Sequence, residues 1–215
     1  MIAGPRLKIL QAGDPVLRAR SRPLTPDEIR GPEIQHLIEW MRETMREAPG
    51  VGLAAPQIGL PLQLAVVEDR PESMKDVPPE RLAERGRAPV PFQVIANPRL
   101  SLSGAPAVFF EGCLSLAGFS ALVPRALEAR VDCLDHRGQP VSLSATGWYA
   151  RILQHEIDHL DGVLYIDRMF SRSFTTTESL LHYWKDRPMD EVRAGLMGDP
   201  PSAGQNASPE PPPQK

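Results

Sequence analysis

Apolar residues recur along this chain at two different spacings, and the changes of spacing mark its elements. Ile34, Leu37, Ile38, Met41 and Met45 fall three and four apart, which predicts a helix with one apolar stripe running up to Pro49. Just before it, Thr25-Pro26-Asp27-Glu28 has the spacing of a capping box with proline at the first helical position. Leu24 and Ile29 can close a hydrophobic staple around that start, and Gly31-Pro32 should break the first helix from the second. Strand-like runs follow at LQLAVVE from Leu62, FQVIANP from Phe92, Val108 to Phe110, EARVDCLD from Glu128 and PVSLSA from Pro140. The stretch 70–91 between the first two is rich in proline and charge and reads as a solvated loop with room for one helical turn.

From Gly147 the sequence WYARILQHEIDHLDG reads as a helix capped by Thr146 and stopped by Gly162. A strand, VLYID, and a helical stretch from Thr177 to Trp184 complete the pattern. The fold class expected is α+β, with mixed, mostly antiparallel strands around the helix that carries residues 155–159 and a C-terminal helix. One domain should cover residues 1–190. The Pro-rich segment 198–215 has too little apolar content to offset the entropy of ordering it, and is expected to be disordered.

Composition narrows the class of function. The 215 residues are 41% hydrophobic and 24% charged with a net charge of -3, as in ordinary globular proteins. A chain of this length can bury about 70% of its unfolded surface, so it needs no structural metal, and any metal it binds should be functional. Basic residues are scattered singly, as at Arg18, Arg20 and Arg22, which argues against direct contact with nucleic acid. No apolar run approaches the roughly 20 residues needed to cross a bilayer, so no membrane partner is expected. The start, MIAGPRLKIL, resembles neither a signal nor a transit peptide; the chain is expected to be cytoplasmic, or organellar only if a transit peptide was removed. Two cysteines fit a reducing compartment better than a disulfide framework, and Cys133 within EARVDCLD reads as a small buried hydrophobe.

The chemistry concentrates in His155-Glu156-Ile157-Asp158-His159. Histidines four apart on a helix stack on one face, where a single ion can take a nitrogen from each. Glu156 lies about 100° around the helix, close enough to reach a water beside that ion without binding it. The alternative is a pair of exposed or merely hydrogen-bonded histidines, and a third ligand decides between them. Tyr165 stands where an extended zinc-protease pattern would put a histidine, so that route fails. Cys113 in Glu111-Gly112-Cys113-Leu114-Ser115 is the better candidate, because Gly112 frees the backbone to turn. Thiolate plus imidazole favours a late divalent transition metal over magnesium or calcium, without separating iron from zinc, nickel or cobalt. The segment from Gly50 to Gln57 is small and apolar and ends in one amide; it is either a tight packing loop or a place where Gln57 donates to a developing oxyanion.

In that order, GVGLAAPQ, EGCLS and HEIDH resemble the three signature motifs of the peptide deformylases. The similarity runs from about Leu7 to Trp184 and includes GDPVLR, LVPR and HLDGVLYID. LAGFSALVPR and Ser144 to Trp148 are similar to the branch containing organelle-type enzymes, whereas Leu114 follows the bacterial pattern. The resemblance implies removal of the formyl group from the initiator methionine of new polypeptides, releasing formate, with a bound ferrous ion. It implies formylated nascent peptides as partners, met at the ribosome exit. By motif position Cys113, His155 and His159 would hold the metal, Glu156 would move protons, and Gln57, Gly52 and the Leu114 N–H would contact substrate. Ala117-Gly118 stands where many bacterial members carry proline and a charged residue, which leaves preferences beyond methionine open.

Trp148 and Ile152 share the helical stripe of His155 and His159, so they either line an apolar slot suited to a methionine side chain or are plain core residues. Glu111 is expected to face Arg125 as a loose surface pair that holds the cysteine loop. Two rival functions remain: a metallopeptidase on the same helix, against which Tyr165 argues, and a silent module that binds N-termini, against which Glu156 argues.

Overall fold

The computed structural model of the chain describes residues 6–48, 50–185 and 187–198, so the expected disorder of the tail beyond Gly198 lies outside the described residues. Thr25 starts helix α1 (Pro26–Arg30) with both halves of the capping box formed: Glu28 N donates to Thr25 Oγ1 at 3.2 Å and Thr25 N to Glu28 Oε2 at 2.7 Å. Gly31 and Pro32 then redirect the chain into α2 (Pro32–Glu47), whose predicted apolar stripe is its buried face.

Among the described residues six strands follow: β1 (Gly52–Ala54), β2 (Leu64–Asp69), β3 (Val90–Gly112), β4 (Phe119–Leu134), β5 (Pro140–Thr146) and β6 (Thr175–Thr176). They form one sheet in the order β1-β2-β3-β4-β5, with β6 on β4, and every strand pairing is antiparallel. The one parallel contact among the described residues is the isolated bridge from Arg22 to Leu62, so the expected mixed strands are a single antiparallel sheet. Strand β2 is buried on both faces, which explains its unbroken apolar run. Val66 packs with Leu37, Met41 and Met45 of α2, while its neighbour Val67 points to the opposite layer. That layer is α4 (Gly147–Leu160), whose Ile152, Leu153 and Ile157 meet Ile95, Val131 and Ala145.

Several elements differ from expectation. The runs at Phe92 and Val108 are one 23-residue strand, because register shifts between Ala96 and Arg99 and between Ser103 and Pro106 interrupt the period without ending the pairing with β4. The segment 70–91 holds a 3-10 turn (Pro71–Met74) and the short helix α3 (Pro79–Glu84). VLYID is no strand: Tyr165–Asp167 is a 3-10 turn, in which the Asp167 side chain accepts from Leu164 N at 2.8 Å and draws the backbone out of any ladder. Thr146 occupies the N-cap position of α4 but its side chain makes no capping bond. Beyond α5 (Thr177–Ser179) and a π-helical turn (Leu180–Trp184) comes α6 (Met189–Met197), which the sequence reading missed. Val192 anchors it against Phe110 and Leu122. No helix among the described residues is long and apolar enough to cross a membrane.

Gly162 ends the α4 region at φ 75, where a Cβ would lie 2.6 Å from the backbone oxygen of Arg18. Gly162→Ala should therefore destabilise the fold by more than the roughly 1–3 kcal/mol of the left-handed backbone alone. Urea denaturation of the two proteins measures it, and an unchanged midpoint would contradict the packing.

Candidate active site

The β3 and β4 strands form a long hairpin whose turn, residues 113–118, carries the EGCLS cysteine. Gly112 is the extended last residue of β3 and has no positive φ; the left-handed residue of the turn is Gly118, at φ 84. The expected reason for a glycine before Cys113 is thus corrected, although the cysteine does stand in the turn. Helix α4 passes behind this turn and brings His155 and His159 to it. The ligand atoms of Cys113, His155 and His159 lie within 4.8 Å of one another, with Cys113 Sγ 3.2 Å from His159 Nε2. The histidine rings are 5.0 Å apart at 76°, as expected of positions one turn apart.

Electrostatics around the cluster suit a cation. Burial, with the neighbouring His155 charge, holds His159 well below the ordinary histidine value, so its imidazole is neutral and has a lone pair to offer. Burial alone would lower His155 too, but hydrogen bonds with Cys113 and Glu111 raise it well above that value. His155 Nδ1 donates to Glu111 Oε2 at 3.1 Å, the carboxylate partner that fixes a metal-binding imidazole by its far nitrogen. Glu156 is buried, its Oε2 has no hydrogen-bond partner, and burial pushes its carboxyl up to about 7. Three converging soft and borderline donors beside an unpartnered buried carboxyl oxygen fit one divalent transition metal with an open position.

Strand β1 closes the other side. Gly52 faces Glu156 so closely that a Cβ there would fall 2.2 Å from Glu156 Oε1. Gln57 sits in a 3-10 turn (Ala55–Ile58) with its Oε1 accepting from Ala54 N at 2.8 Å. That bond aims Nε2 at Cys113 Sγ, 3.5 Å away, and at Ser115 Oγ, 3.2 Å away. Leu114 is the first residue of a 3-10 turn, so its N–H has no partner within that turn. Trp148 and Ile152 line the same cavity of about 540 Å3, which Gly52, Gln57, Cys113, His155 and Glu156 also border. They are core as well: Ile152 is buried, and Trp148 Nε1 donates to the buried Asp69 at 2.9 Å.

The Glu111 and Arg125 pair is not the loose surface contact expected. Arg125 Nε and Nη2 each donate to Glu111 at 3.0 Å, and both side chains are buried. Arg151 adds a 2.6 Å bond to Glu111, and Asp158 binds Arg125 and Arg168. Burial opposes the Glu111 charge, yet His155 and Arg125 hold its carboxyl well below the usual carboxylate range. Arg151, Asp158 and Arg168 were missed by sequence reasoning. The available signal was that Arg151 and Asp158 flank His155 at helical spacing, opposite charges on the same side of the helix as a candidate metal ligand.

Known proteins carry the same arrangement of sequence. Residues 6–174 match the model of the family described as polypeptide deformylase. The chain is 50% identical over 173 residues to chloroplastic peptide deformylase 1A of Solanum lycopersicum, covering 80% of this chain and 62% of that one. It thus spans less than two thirds of that plant relative. It is 46% identical over 200 residues to peptide deformylase 3 of Streptomyces avermitilis, covering 92% and 86% of the two chains. The Met-Ala-Ser-bound crystal structure of a class I type b peptide deformylase from Acinetobacter baumannii superposes with a TM-score of 0.68 at 29% identity, covering 78% of this chain and all of that one. With the family match spanning most of its length, this chain belongs to the polypeptide deformylase family.

Proposed function

We propose that this protein removes the formyl group from the N-terminal methionine of newly made polypeptides and releases formate. The observation that carries the reading is the convergence of Cys113, His155 and His159 beside the unpartnered, buried Glu156 oxygen. In this reading the three residues hold one divalent ion, Fe2+ by family resemblance, with Zn2+, Ni2+ or Co2+ suited to the same donors. When bound, the ion supplies Lewis acidity and positive charge beside the formyl group. Helix α4, with its HEIDH segment, is the central element of a catalytic unit covering residues 1–190.

Glu156 takes the proton of the attacking water and later returns it to the leaving amine, acting as base and then as acid. Its carboxyl, raised by burial to about 7, is poised for both directions. Gln57 Nε2 and the Leu114 N–H donate to the oxyanion that forms on attack. Trp148 and Ile152 wall an apolar slot for the methionine side chain. Gly52 keeps the substrate-facing position of Glu156 open. The Acinetobacter baumannii relative was solved with Met-Ala-Ser bound, and a peptide that begins with free methionine is what this reaction leaves. The partners are formylated nascent chains at the ribosome exit, with no direct contact to nucleic acid or membrane.

Assays on formyl-Met-Ala beside unformylated peptides separate the readings. Formate release supports deformylation, scission of the peptide bond supports a metallopeptidase, and no turnover with metal bound supports a silent binding module. A second expectation concerns Gly52→Ala. The added Cβ would lie 2.2 Å from Oε1, 2.4 Å from Cδ and 2.7 Å from Cγ of the buried Glu156, so that whole side chain must shift, at some cost in stability but with the three metal-binding side chains still in place. Activity should fall about 100-fold, as expected of a catalytic group displaced by ~1 Å. Wild-type turnover in that variant would contradict the fit of Gly52 against Glu156.

A further inference from the structure

We infer that a small cavity behind the Glu111 carboxylate holds a chloride ion, at a site formed by Arg85, Arg125 and Arg151. These three residues line a cavity of about 10 Å3 together with Ala107, Phe109 and Gly147, room for one water or one ion little larger than water. Among the described residues no acidic side chain lines it. The guanidinium carbons of Arg85 and Arg151 lie 5.4 and 5.3 Å from the centre of one ring, that of Phe109, so both charges stand at this wall.

The charges around the cavity call for an anion. Arg125 and Arg151 share Glu111, and Arg125 and Arg168 share Asp158. Among the described residues the Arg85 guanidinium has no ion pair, and Glu84 beside it is bonded to Arg81 at 3.0 Å. The faces of Phe109 and Trp148 attract the Arg85 cation without cancelling its charge. Burial and the neighbouring Arg151 charge hold Arg85 below its ordinary value, yet a guanidinium stays charged. Four guanidiniums thus meet two carboxylates. The N-terminus of α4 adds to the positive excess: Gly147 and Trp148, its first two residues, border the cavity, and Thr146 makes no side-chain capping bond. A monatomic anion fits this space, whereas formate or phosphate, with several heavy atoms, does not. Chloride there balances the arginines that hold Glu111 against His155. Arg85 does not border the catalytic cavity, so replacing it tests this site alone.

The test uses the metal-loaded full chain prepared without halide. At equal ionic strength, chloride should raise the Tm by about 2–6 °C over gluconate, which is too large to enter, and the rise should saturate with concentration as a single site does. Arg85→Gln should abolish that difference. Crystals grown with bromide in place of chloride should show its anomalous signal in the cavity between Arg85 and Arg151, and this measurement decides the matter even if Arg85→Gln does not fold. Bromide absent from that cavity overturns the site. A halide effect that persists unchanged in Arg85→Gln also overturns it, because the ion then binds elsewhere, such as at the open metal position.

Discussion

Glu156→Gln should keep its metal and lose about 100- to 10,000-fold in kcat/KM, the usual worth of a positioned proton carrier. The carboxamide has the size of the carboxylate, so the buried position between Gly52 and the histidines is still filled. What disappears is the ability to take a proton from water and return it to the amine. The acid side of the rate profile should change with it: wild-type activity falls as Glu156 takes up a proton at low pH, and the variant's residual rate lacks that limb. Cys113→Ala should behave oppositely, losing metal because only two of the three converging donors remain. Metal content by elemental analysis and formate release on one preparation distinguish them. Full activity in Glu156→Gln would remove the proton-transfer role.

Helices α1 and α2 were legible in the sequence because their signals are local. Thr25 and Glu28 satisfy each other's backbone N–H groups within one turn, Pro26 fits the first helical position because it has no N–H to satisfy, and the stripe from Ile34 to Met45 needs no knowledge of its partner. The long strand β3 was not, since its bulges are defined only against β4. VLYID failed for a related reason: its β-branched and aromatic residues favour a strand, but Asp167 offers the backbone a nearer acceptor. Helix α6 is short and held by a few contacts such as Val192 on Phe110, so its existence depends on tertiary packing.

The site divides in the same way. His155, Glu156 and His159 could be read from spacing because a helix converts spacing into direction. Cys113 needed the absence of any other third ligand, and Gly52 needed the motif resemblance. The steric role of Gly52 against Glu156 lies across some hundred residues of chain and no local pattern encodes it. The buried charges behind His155 are the largest unread feature. Glu111 comes from the end of β3, Arg125 from β4 and Arg168 from beyond α4, so they meet only once the hairpin is laid across the helix.

That charge cluster carries the second large expected effect. Arg125→Met should destabilise the metal-loaded protein by about 3–5 kcal/mol, because breaking a buried ion pair leaves its partner charges undercompensated. Arg151 still holds Glu111 and Arg168 still holds Asp158, but Arg168 is largely at the surface and cannot replace a buried fork. Arg125→Lys should fare little better, since an ammonium cannot make two parallel bonds to Glu111 while reaching Asp158. Metal affinity should weaken by about 10- to 100-fold, as Glu111 orients His155 through Nδ1. The pH dependence has a definite sign. The folded Glu111 carboxyl is held below its ordinary value, so its contribution is present above the unfolded pKa of about 4.3 and is lost as pH falls through the lower folded value. The stability gap between wild type and Arg125→Met should therefore be full at neutral pH and shrink in acid. Urea titrations at several pH values and competition with a chelator measure both effects. If stability and metal affinity were both untouched, the cluster would have no part in holding the site.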